Sequence, residues 1–170
     1  MDKIKNLELS DVMHFRPVIH SDERGIFFEF TKGSDNIKWS FPEFVQDNVS
    51  ISNKNVLRGL HFQKKPFEQA KLVLILQGKV FDVVVDIRPN SPTFGFHNSI
   101  ILDSEKKDIL YVPEGFAHGF LSLSDNSIVC YKTTKEYSSL NDSGIIWNDK
   151  DLNIEWPCTK PTLSDKDKKH

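Results

Sequence analysis

Apolar and polar residues alternate over short stretches of this chain. In residues 80–87, apolar side chains occupy one face of a predicted strand, while Asp82 and Asp86 lie on the other face together with two valines. Residues 72–76 are uninterruptedly apolar, which predicts a strand buried on both faces. A turn signal at residues 77–79 separates the two segments, and we therefore predict that they pair as a hairpin.

Most other periodic segments are also short strands. They comprise residues 25–31, 44–52, 99–102, 109–112, 120–123 and 127–134. The last two flank a turn at residues 124–126 and are predicted to form a second hairpin. The predicted non-β pieces are residues 33–39 and the polar tail 160–170, whose composition predicts a solvent-exposed end. Short strands without sustained helical periodicity indicate an antiparallel barrel or sandwich.

Composition narrows the class of protein further. The chain has 170 residues, which predicts one domain over residues 1–170 with a core of its own. A net charge of -2 argues against a partner nucleic acid or a membrane surface, and no apolar run approaches the roughly 20 residues of a membrane span. The N-terminus shows no signal peptide, and Cys130 and Cys158 form no disulfide framework, so a cytoplasmic location is expected.

Two histidines stand in segments rich in glycine and aromatic residues. His61 lies in RGLHFQ, and His118 lies in PEGFAHGF. A single histidine in such a setting is more often a hydrogen-bonded structural residue. Two of them in an all-β chain favour an interior pocket as well.

These two segments resemble the two sequence motifs of the cupin barrel. A metal-binding cupin supplies a second histidine and an acidic ligand, but here Gln63 and Lys71 take those places. A protonated lysine repels a cation and cannot ligate it, so a metal-free pocket is favoured. Glu68 is close enough in sequence to leave a distorted metal site as an alternative.

A metal-free pocket of this composition suits proton abstraction next to a carbonyl group. Histidine can accept the proton near neutral pH, and Lys71 can stabilise the oxyanion that forms. Tyr131 shares a predicted strand face with Val129 and Thr133, from which its phenol could return a proton. The alternatives are that Tyr131 is a core residue and that Lys71 is a surface lysine.

Eight motifs follow one another between Asp22 and Asp167. They read DERGIFFE (22–29), QDN (46–48), NVLRGLHFQ (55–63), QAKLV (69–73), SPTFG (91–95), PEGFAHGF (113–120), WND (147–149) and LSDKD (163–167). Together they resemble the dTDP-4-dehydrorhamnose 3,5-epimerases. The resemblance implies an all-β, cupin-like antiparallel barrel (a jelly roll) with short peripheral helices. It also implies a homodimer without cofactor or metal, whose substrate is a nucleotide-linked 4-keto-6-deoxyhexose inverted at C3 and C5.

The resemblance also implies catalytic roles for four residues. His61 is expected to be the general base, and Asp167 is expected to pair with the second nitrogen of its ring. Lys71 is expected to stabilise the enolate oxygen, and Tyr131 to return a proton from the opposite face of the sugar. The composition of the tail predicts a solvent-exposed end, whereas the resemblance places Asp167 of the tail in the site. Asp165 is the alternative partner of His61.

Substrate-binding roles follow from the same resemblance. Arg58 and Lys166 would hold the diphosphate or the sugar, because their positive charge suits phosphate. The sugar site would be lined by Gln46, Asp47, Asn48 and His118. Arg24 and Glu29 match residues that members of the family extend into the site of the partner subunit. Asp142 stands where a glutamate is usual.

The chain departs from the family pattern at several positions. His97 replaces an aromatic residue, and the segment between Thr31 and Phe44 is short. Both features concern nucleotide choice and packing more than the acid–base chemistry. The alternatives are an epimerase that acts on one carbon or on another nucleotide, a non-catalytic sugar-nucleotide-binding cupin, and a metal-dependent cupin oxygenase or isomerase.

Overall fold

The computed structural model describes residues 1–6 and 8–170, which contain thirteen strands and one helix. In chain order these are β1 (Asp2–Asn6), β2 (Met13–Arg16), β3 (Ile19–Asp22), β4 (Gly25–Phe28), α1 (Gly33–Trp39), β5 (Gln46–Ser52), β6 (Leu57–Gln63), β7 (Lys71–Gln77), β8 (Lys79–Asp86), β9 (His97–Asp103), β10 (Ile109–Val112), β11 (Phe116–Ser122), β12 (Ser127–Thr133) and β13 (Asp142–Gly144). The predicted strands are confirmed, although the one predicted for residues 25–31 ends at Phe28. The helix occupies the segment that the sequence set apart as non-β.

Two antiparallel sheets form the body of the molecule. The first has the order β1-β2-β10-β7-β12-β5, and the second has the order β13-β6-β11-β8-β9. A cluster of buried side chains from both sheets, including Val73, Val84 and Val129, fills the space between them. Strands β3 and β4 form a separate two-stranded hairpin. The predicted jelly roll is therefore confirmed.

Both predicted hairpins are wrong, because consecutive strands cross from one sheet to the other. β7 pairs with β10 and β12, whereas β8 pairs with β9 and β11. β11 and β12 likewise lie in different sheets. Gly78 turns the chain at a φ of 78°, and a Cβ there would lie 2.4 Å from Oγ of Ser124 in the second connection. Turn residues specify a reversal of the chain, but they do not specify which strand becomes the neighbour.

The two predicted faces of β8 are confirmed. Val80 and Val84 belong to the cluster between the sheets, while Val83 and Val85 belong to a second cluster on the outer face. Side chains from the C-terminal segment, such as Trp156, cover this outer cluster. The strand is therefore buried on both faces, because the chain after β13 folds back over the second sheet.

Two motif glycines set the spacing between β6 and β11. A Cβ on Gly59 would lie 2.5 Å from Cα of Gly119, and a Cβ on Gly119 would lie 2.7 Å from the carbonyl oxygen of Arg58. Because glycine has no side chain, the two backbones can approach closely, and the contact leaves no room for a Cβ at either position. This approach places His61 directly opposite His118.

The described residues include two cysteines and one short helix. Cys130 and Cys158 are both free thiols. The helix α1 has seven residues, and no helix in the described part of the chain is long and apolar enough to cross a membrane.

Candidate active site

An imidazole–carboxylate pair joins β6 to the C-terminal tail. Nε2 of His61, on β6, is 2.5 Å from Oδ1 of Asp167, whose side chain is 3% exposed. Oγ of Ser164 donates to the other carboxylate oxygen at 2.8 Å and accepts from the backbone N–H of Asp167. Burial alone would raise the pKa of Asp167, but the hydrogen bond and the charge of His61 outweigh burial and lower it. The ionised carboxylate can only accept, so it holds the proton of the His61 ring on Nε2.

The tail reaches this position because it is attached to the start of β6. Thr162 exchanges backbone hydrogen bonds with Asn55 and Leu57, at 2.8 and 3.0 Å. Asp167 is consequently buried, so the prediction of a fully solvated tail is wrong. Asp165, the alternative partner of His61, is exposed and pairs with Lys168 at 2.9 Å. The polar composition of the tail did not predict this burial, because a charged side chain can be buried when it is paired.

A second imidazole–carboxylate pair lies beside the first. Nε2 of His118 is 3.0 and 2.9 Å from the two carboxylate oxygens of Asp82, which is fully buried on β8. His118 occupies the β11 position opposite His61 on β6. Directly opposed residues of neighbouring strands point to the same face, so both rings project into the barrel.

Lys71 enters the pocket from the other sheet, at the first position of β7. It is 9% exposed, and none of the described residues forms an ion pair with it. Burial lowers its pKa to about 8; the charges of Asp82 and Asp142 act in the opposite direction, and that of Lys166 adds to the lowering. The alternative of a surface lysine is wrong, since the side chain is buried in the pocket.

Tyr131 also belongs to the first sheet, on β12. Its ring packs against the buried cluster between the sheets, and it lines the same cavity as His61 and Lys71. Burial raises the pKa of the phenol, although the charge of Arg58 acts in the opposite direction. The phenol therefore keeps its proton at neutral pH. His61 and Tyr131 stand on opposite sheets and face one cavity.

The cavity consists of two adjoining volumes of about 150 and 320 Å³. Both are lined by Asn48, His61, Lys71 and Tyr131. A larger cavity of about 770 Å³ lies on the other side of Gln63, but none of these four residues lines it. We place the candidate active site in the smaller pair, because the titratable groups converge there.

The QDN motif on β5 is divided between the two faces of the strand. Gln46 and Asn48 line the cavity, and their side chains are hydrogen-bonded to each other at 2.8 Å. Asp47 does not line it; its exposed carboxylate accepts a hydrogen bond from Lys132 at 2.6 Å. The period of two along a strand separates Asp47 from its neighbours, so the structure does not bring it to this cavity.

Arg58, Asp142 and Lys166 lie at the edge of the cavity. Arg58 lines the larger of the two volumes and donates from Nε to Oγ of Ser52 at 3.0 Å. Asp142 on β13 accepts hydrogen bonds from Lys166 of the tail and, at 2.9 Å, from the hydroxyl of Tyr137. Tyr137 lines the cavity as well, although no sequence signal singled it out.

Arg24 and Glu29 are remote from this cavity. Arg24 stands at the turn of the β3–β4 hairpin and pairs with Asp22, and Glu29 pairs with Lys32. Neither lines any part of the cavity. Their contribution to the site of a partner subunit stays a prediction.

Gln63 and Lys71, at two of the cupin ligand positions, do not fit a metal ion. Nε2 of Gln63 donates to the carbonyl oxygens of Phe67 and Glu136, and its Oε1 accepts from the N–H of Ser138. The amide is thus committed to holding two loops together. Lys71 presents an ammonium group, and Glu68 lines the larger cavity beyond Gln63. Among the described residues, Glu68 belongs to no group of three metal-ligating side chains.

Sequence reasoning missed four residues near the cavity: Asp82, Tyr137, Ser164 and His170. The sequence pattern could have identified Asp82, because a carboxylate on the inward face of a buried strand needs a partner. Ser164 lies in the LSDKD motif, but its role depends on the fold of the tail. His170 is visible only in the structure, which sets its ring at 5.9 Å from that of His61.

The two packed sheets and the pocket between them define a cupin-like jelly-roll protein with acid–base side chains inside the barrel. The family model of dTDP-4-dehydrorhamnose 3,5-epimerase matches residues 6–170. The chain belongs to this family.

Known members of the family are similar to this chain over nearly its whole length. A dTDP-4-dehydrorhamnose 3,5-epimerase of Shigella flexneri is 51% identical over 169 residues, which cover 98% of this chain and 93% of the relative. The crystal structure of the Bacillus anthracis enzyme with TDP and PPi bound has a TM-score of 0.95 at 44% identity, covering 98% of this chain and 96% of that one. A Legionella pneumophila epimerase in complex with dTDP-4-keto-L-rhamnose has a TM-score of 0.92 at 42% identity, covering 96% and 88%.

Proposed function

We propose that this protein epimerises dTDP-4-dehydro-6-deoxy-D-glucose at C3 and C5, giving dTDP-4-dehydro-L-rhamnose. The observation that carries the proposal is that His61 and Tyr131 face one cavity from opposite sheets. Inversion of a carbon requires removal of a proton from one face and its return from the other. The sugar nucleotide named in the Legionella pneumophila complex supports the substrate.

The ketone at C4 makes the hydrogens on C3 and C5 acidic, because their removal gives an enolate. His61 removes the proton with Nδ1, since Nε2 is hydrogen-bonded to Asp167. The ammonium of Lys71, which is buried in the pocket, stabilises the enolate oxygen. Tyr131 then delivers its phenolic proton to the opposite face. His61 then releases its proton to solvent and Tyr131 regains one from solvent, after which the same groups act at the second carbon.

Asp167 supports the base in two ways. It keeps the ring proton on Nε2, so that the lone pair stays on Nδ1. Its negative charge stabilises the imidazolium that forms once the proton has been taken. Ser164 holds the carboxylate in position for both tasks.

The substrate-binding groups surround these four residues. Arg58 and Lys166 are the cations that we assign to the diphosphate or the sugar, and Gln46, Asn48 and His118 would contact the sugar. Asp142 would act through its ion pair with Lys166.

We further propose that the protein works as a homodimer in the cytoplasm. The β3–β4 hairpin exposes Ile26 and Phe27, the latter 66% exposed, as expected for a surface that another chain covers. Such a contact would carry Arg24 and Glu29 of one subunit toward the site of the other. Two free thiols are typical of a reducing compartment.

The decisive experiment follows dTDP-4-dehydro-6-deoxy-D-glucose in heavy water by NMR. We expect deuterium at C3 and C5, with inversion at both carbons. Exchange at one carbon only would indicate a single-carbon epimerase, and tight binding without exchange would indicate a non-catalytic binding protein. The same assay with UDP- and GDP-linked 4-keto sugars tests the choice of nucleotide. Activity that is lost on chelation and restored by added metal would contradict the metal-free mechanism.

A further inference from the structure

The His170 ring lies against the His61–Asp167 pair. One ring nitrogen of His61, one of His170 and one carboxylate oxygen of Asp167 all lie within 4.8 Å of one another. Nε2 of His170 is buried and has no hydrogen-bond partner among the described residues. The ring packs over Gly144, where a Cβ would lie 2.6 Å from that nitrogen. The glycine therefore leaves room for an imidazole beside the catalytic pair.

The geometry points to an inhibitory site for Zn²⁺, or a similar transition-metal ion, formed by His61, Asp167 and His170. This inference rests on the proposed function, because inhibition follows only if His61 is the general base. It concerns residues other than Gln63 and Lys71, at which the barrel does not fit a metal.

Two imidazoles and one carboxylate are a typical ligand set for Zn²⁺, with water in the fourth position. Ligand atoms around a tetrahedral ion at about 2.1 Å are about 3.4 Å apart. The spacing in this cluster brackets that value, since the His61–Asp167 distance is 2.5 Å and every ligand atom lies within 4.8 Å of the others. Small side-chain rotations are enough to form the site.

The ion must favour nitrogen ligands. The ammonium of Lys166 lies nearby and opposes any cation, although it is paired with Asp142. A purely electrostatic attraction to one carboxylate therefore does not suffice. Mg²⁺ and Ca²⁺ prefer several oxygen ligands and should not bind, whereas Zn²⁺ gains from both imidazoles.

Binding of the ion removes the base. The nitrogen of His61 beside Asp167 is Nε2, and the metal bonds to its lone pair. A neutral imidazole carries one proton, which must then reside on Nδ1. Nδ1 changes from an acceptor into a donor and can no longer take a proton from C3 or C5. If the ring is protonated beforehand, one proton is released to solvent on binding.

The first test measures metal binding without substrate. Isothermal titration with Zn²⁺ alone should show one ion per chain, and Co²⁺ should give a visible spectrum typical of a low-coordinate nitrogen site. His170→Gln should weaken Zn²⁺ binding at least about tenfold, because it removes a direct ligand. His97→Gln, remote from the cavity, should leave binding unchanged. Equal affinity in His170→Gln and the parent, or the absence of stoichiometric binding to the parent, would overturn the inference.

The second test measures deuterium exchange at free Zn²⁺ concentrations fixed by a zinc buffer, since the diphosphate itself binds metal. We expect inhibition of the parent that EDTA reverses and that Mg²⁺ does not reproduce. His170→Gln should keep its metal-free rate but need at least about ten times more Zn²⁺ for half inhibition. Equal zinc sensitivity of the two proteins would refute the site. His170→Ala serves as a second variant if His170→Gln misfolds. Absence of exchange in the metal-free parent would refute the proposed function and leave the binding data intact.

Discussion

His61 and His118 occupy opposed positions on β6 and β11, and each ring is hydrogen-bonded to a carboxylate. The two rings differ in exposure: the His61 side chain is 31% exposed and that of His118 is 7% exposed. The described residues form no hydrogen bond with Nδ1 of His61, and the residue lines the cavity. Of the two similar pairs, the one containing His61 is therefore the one free to exchange a proton with a substrate.

The first prediction separates the base from the acid. His61→Ala should lose deuterium exchange and epimerisation together, by at least about 10²-fold, because no enolate forms. Tyr131→Phe should still form the enolate, although more slowly, and the proton should then return to its original face. The ratio of inversion to exchange, measured by NMR in heavy water, should fall in Tyr131→Phe.

Two results would contradict this assignment. An unchanged ratio in Tyr131→Phe would remove Tyr131 from the acid role and leave it as a core residue. Substantial exchange in a folded His61→Ala variant would exclude His61 as the base. Tyr111→Phe, which alters a buried tyrosine of another cluster, is the matched control.

The second prediction concerns the dependence of the rate on pH. Burial lowers the pKa of Lys71 to about 8, so the ammonium is present below that pH and is lost above it. Because the protonated form stabilises the enolate oxygen, kcat should fall as the pH rises from 7 to 9. Lys71→Met should lower kcat by about 10²-fold or more and abolish this decline.

Lys71→Arg is the control, since arginine keeps its charge throughout this range. Its rate, even if reduced, should not decline between pH 7 and 9. A decline of the same shape in Lys71→Arg would assign the titration to another group. Tyr131 does not account for it, because burial raises the pKa of its phenol away from this range.

The third prediction identifies Ser164 as a positioning residue. Ser164→Ala removes the hydroxyl that bonds to both the carboxylate and the N–H of Asp167. A hydrogen bond to a charged group contributes about 1.5–3 kcal/mol, so kcat should fall about tenfold or more. KM should change little, because the hydroxyl acts through Asp167. Steady-state kinetics would separate the two constants.

Ser164→Thr should recover much of the lost rate, since it keeps a hydroxyl. Ser104→Ala, in the turn between β9 and β10, should have no effect. A rise in KM without a fall in kcat would instead make Ser164 a direct substrate ligand.

The fourth prediction tests whether subunits share their sites. Arg24→Ala and His61→Ala should each be nearly inactive as homodimers. In a mixed dimer, one site combines an intact His61 with an intact Arg24 from the other chain. Random mixing gives half mixed dimers with one intact site of two, so about a quarter of the parent activity should return.

The measurement is activity after unfolding and refolding the two variants together, with each variant refolded alone as the control. Light scattering should show a dimer for the parent. No recovery of activity, or a fully active monomer at micromolar concentration, would contradict a shared site.

Local patterns along the chain were sufficient to predict most of the strands. The two faces of β8 followed from alternation alone, because a strand has a period of two and its environment is consistent along its length. The same rule, applied to β5, separates Asp47 from Gln46 and Asn48, whereas the family resemblance had grouped all three. The motif glycines were visible as well, although the contact between Gly59 and Gly119 was not.

Local sequence patterns specify the strands, the class of the fold and the kinds of side chain in the pocket. The way in which these parts combine depends on contacts that exist only in the folded chain. The tertiary structure places β7 and β8 in different sheets, pairs Asp167 rather than Asp165 with His61, and places His170 beside them. Strand propensity and turn chemistry act over a few residues, whereas sheet partners and ion pairs depend on contacts between distant segments. The partner of His61 lies 106 residues away, a separation that no local pattern spans.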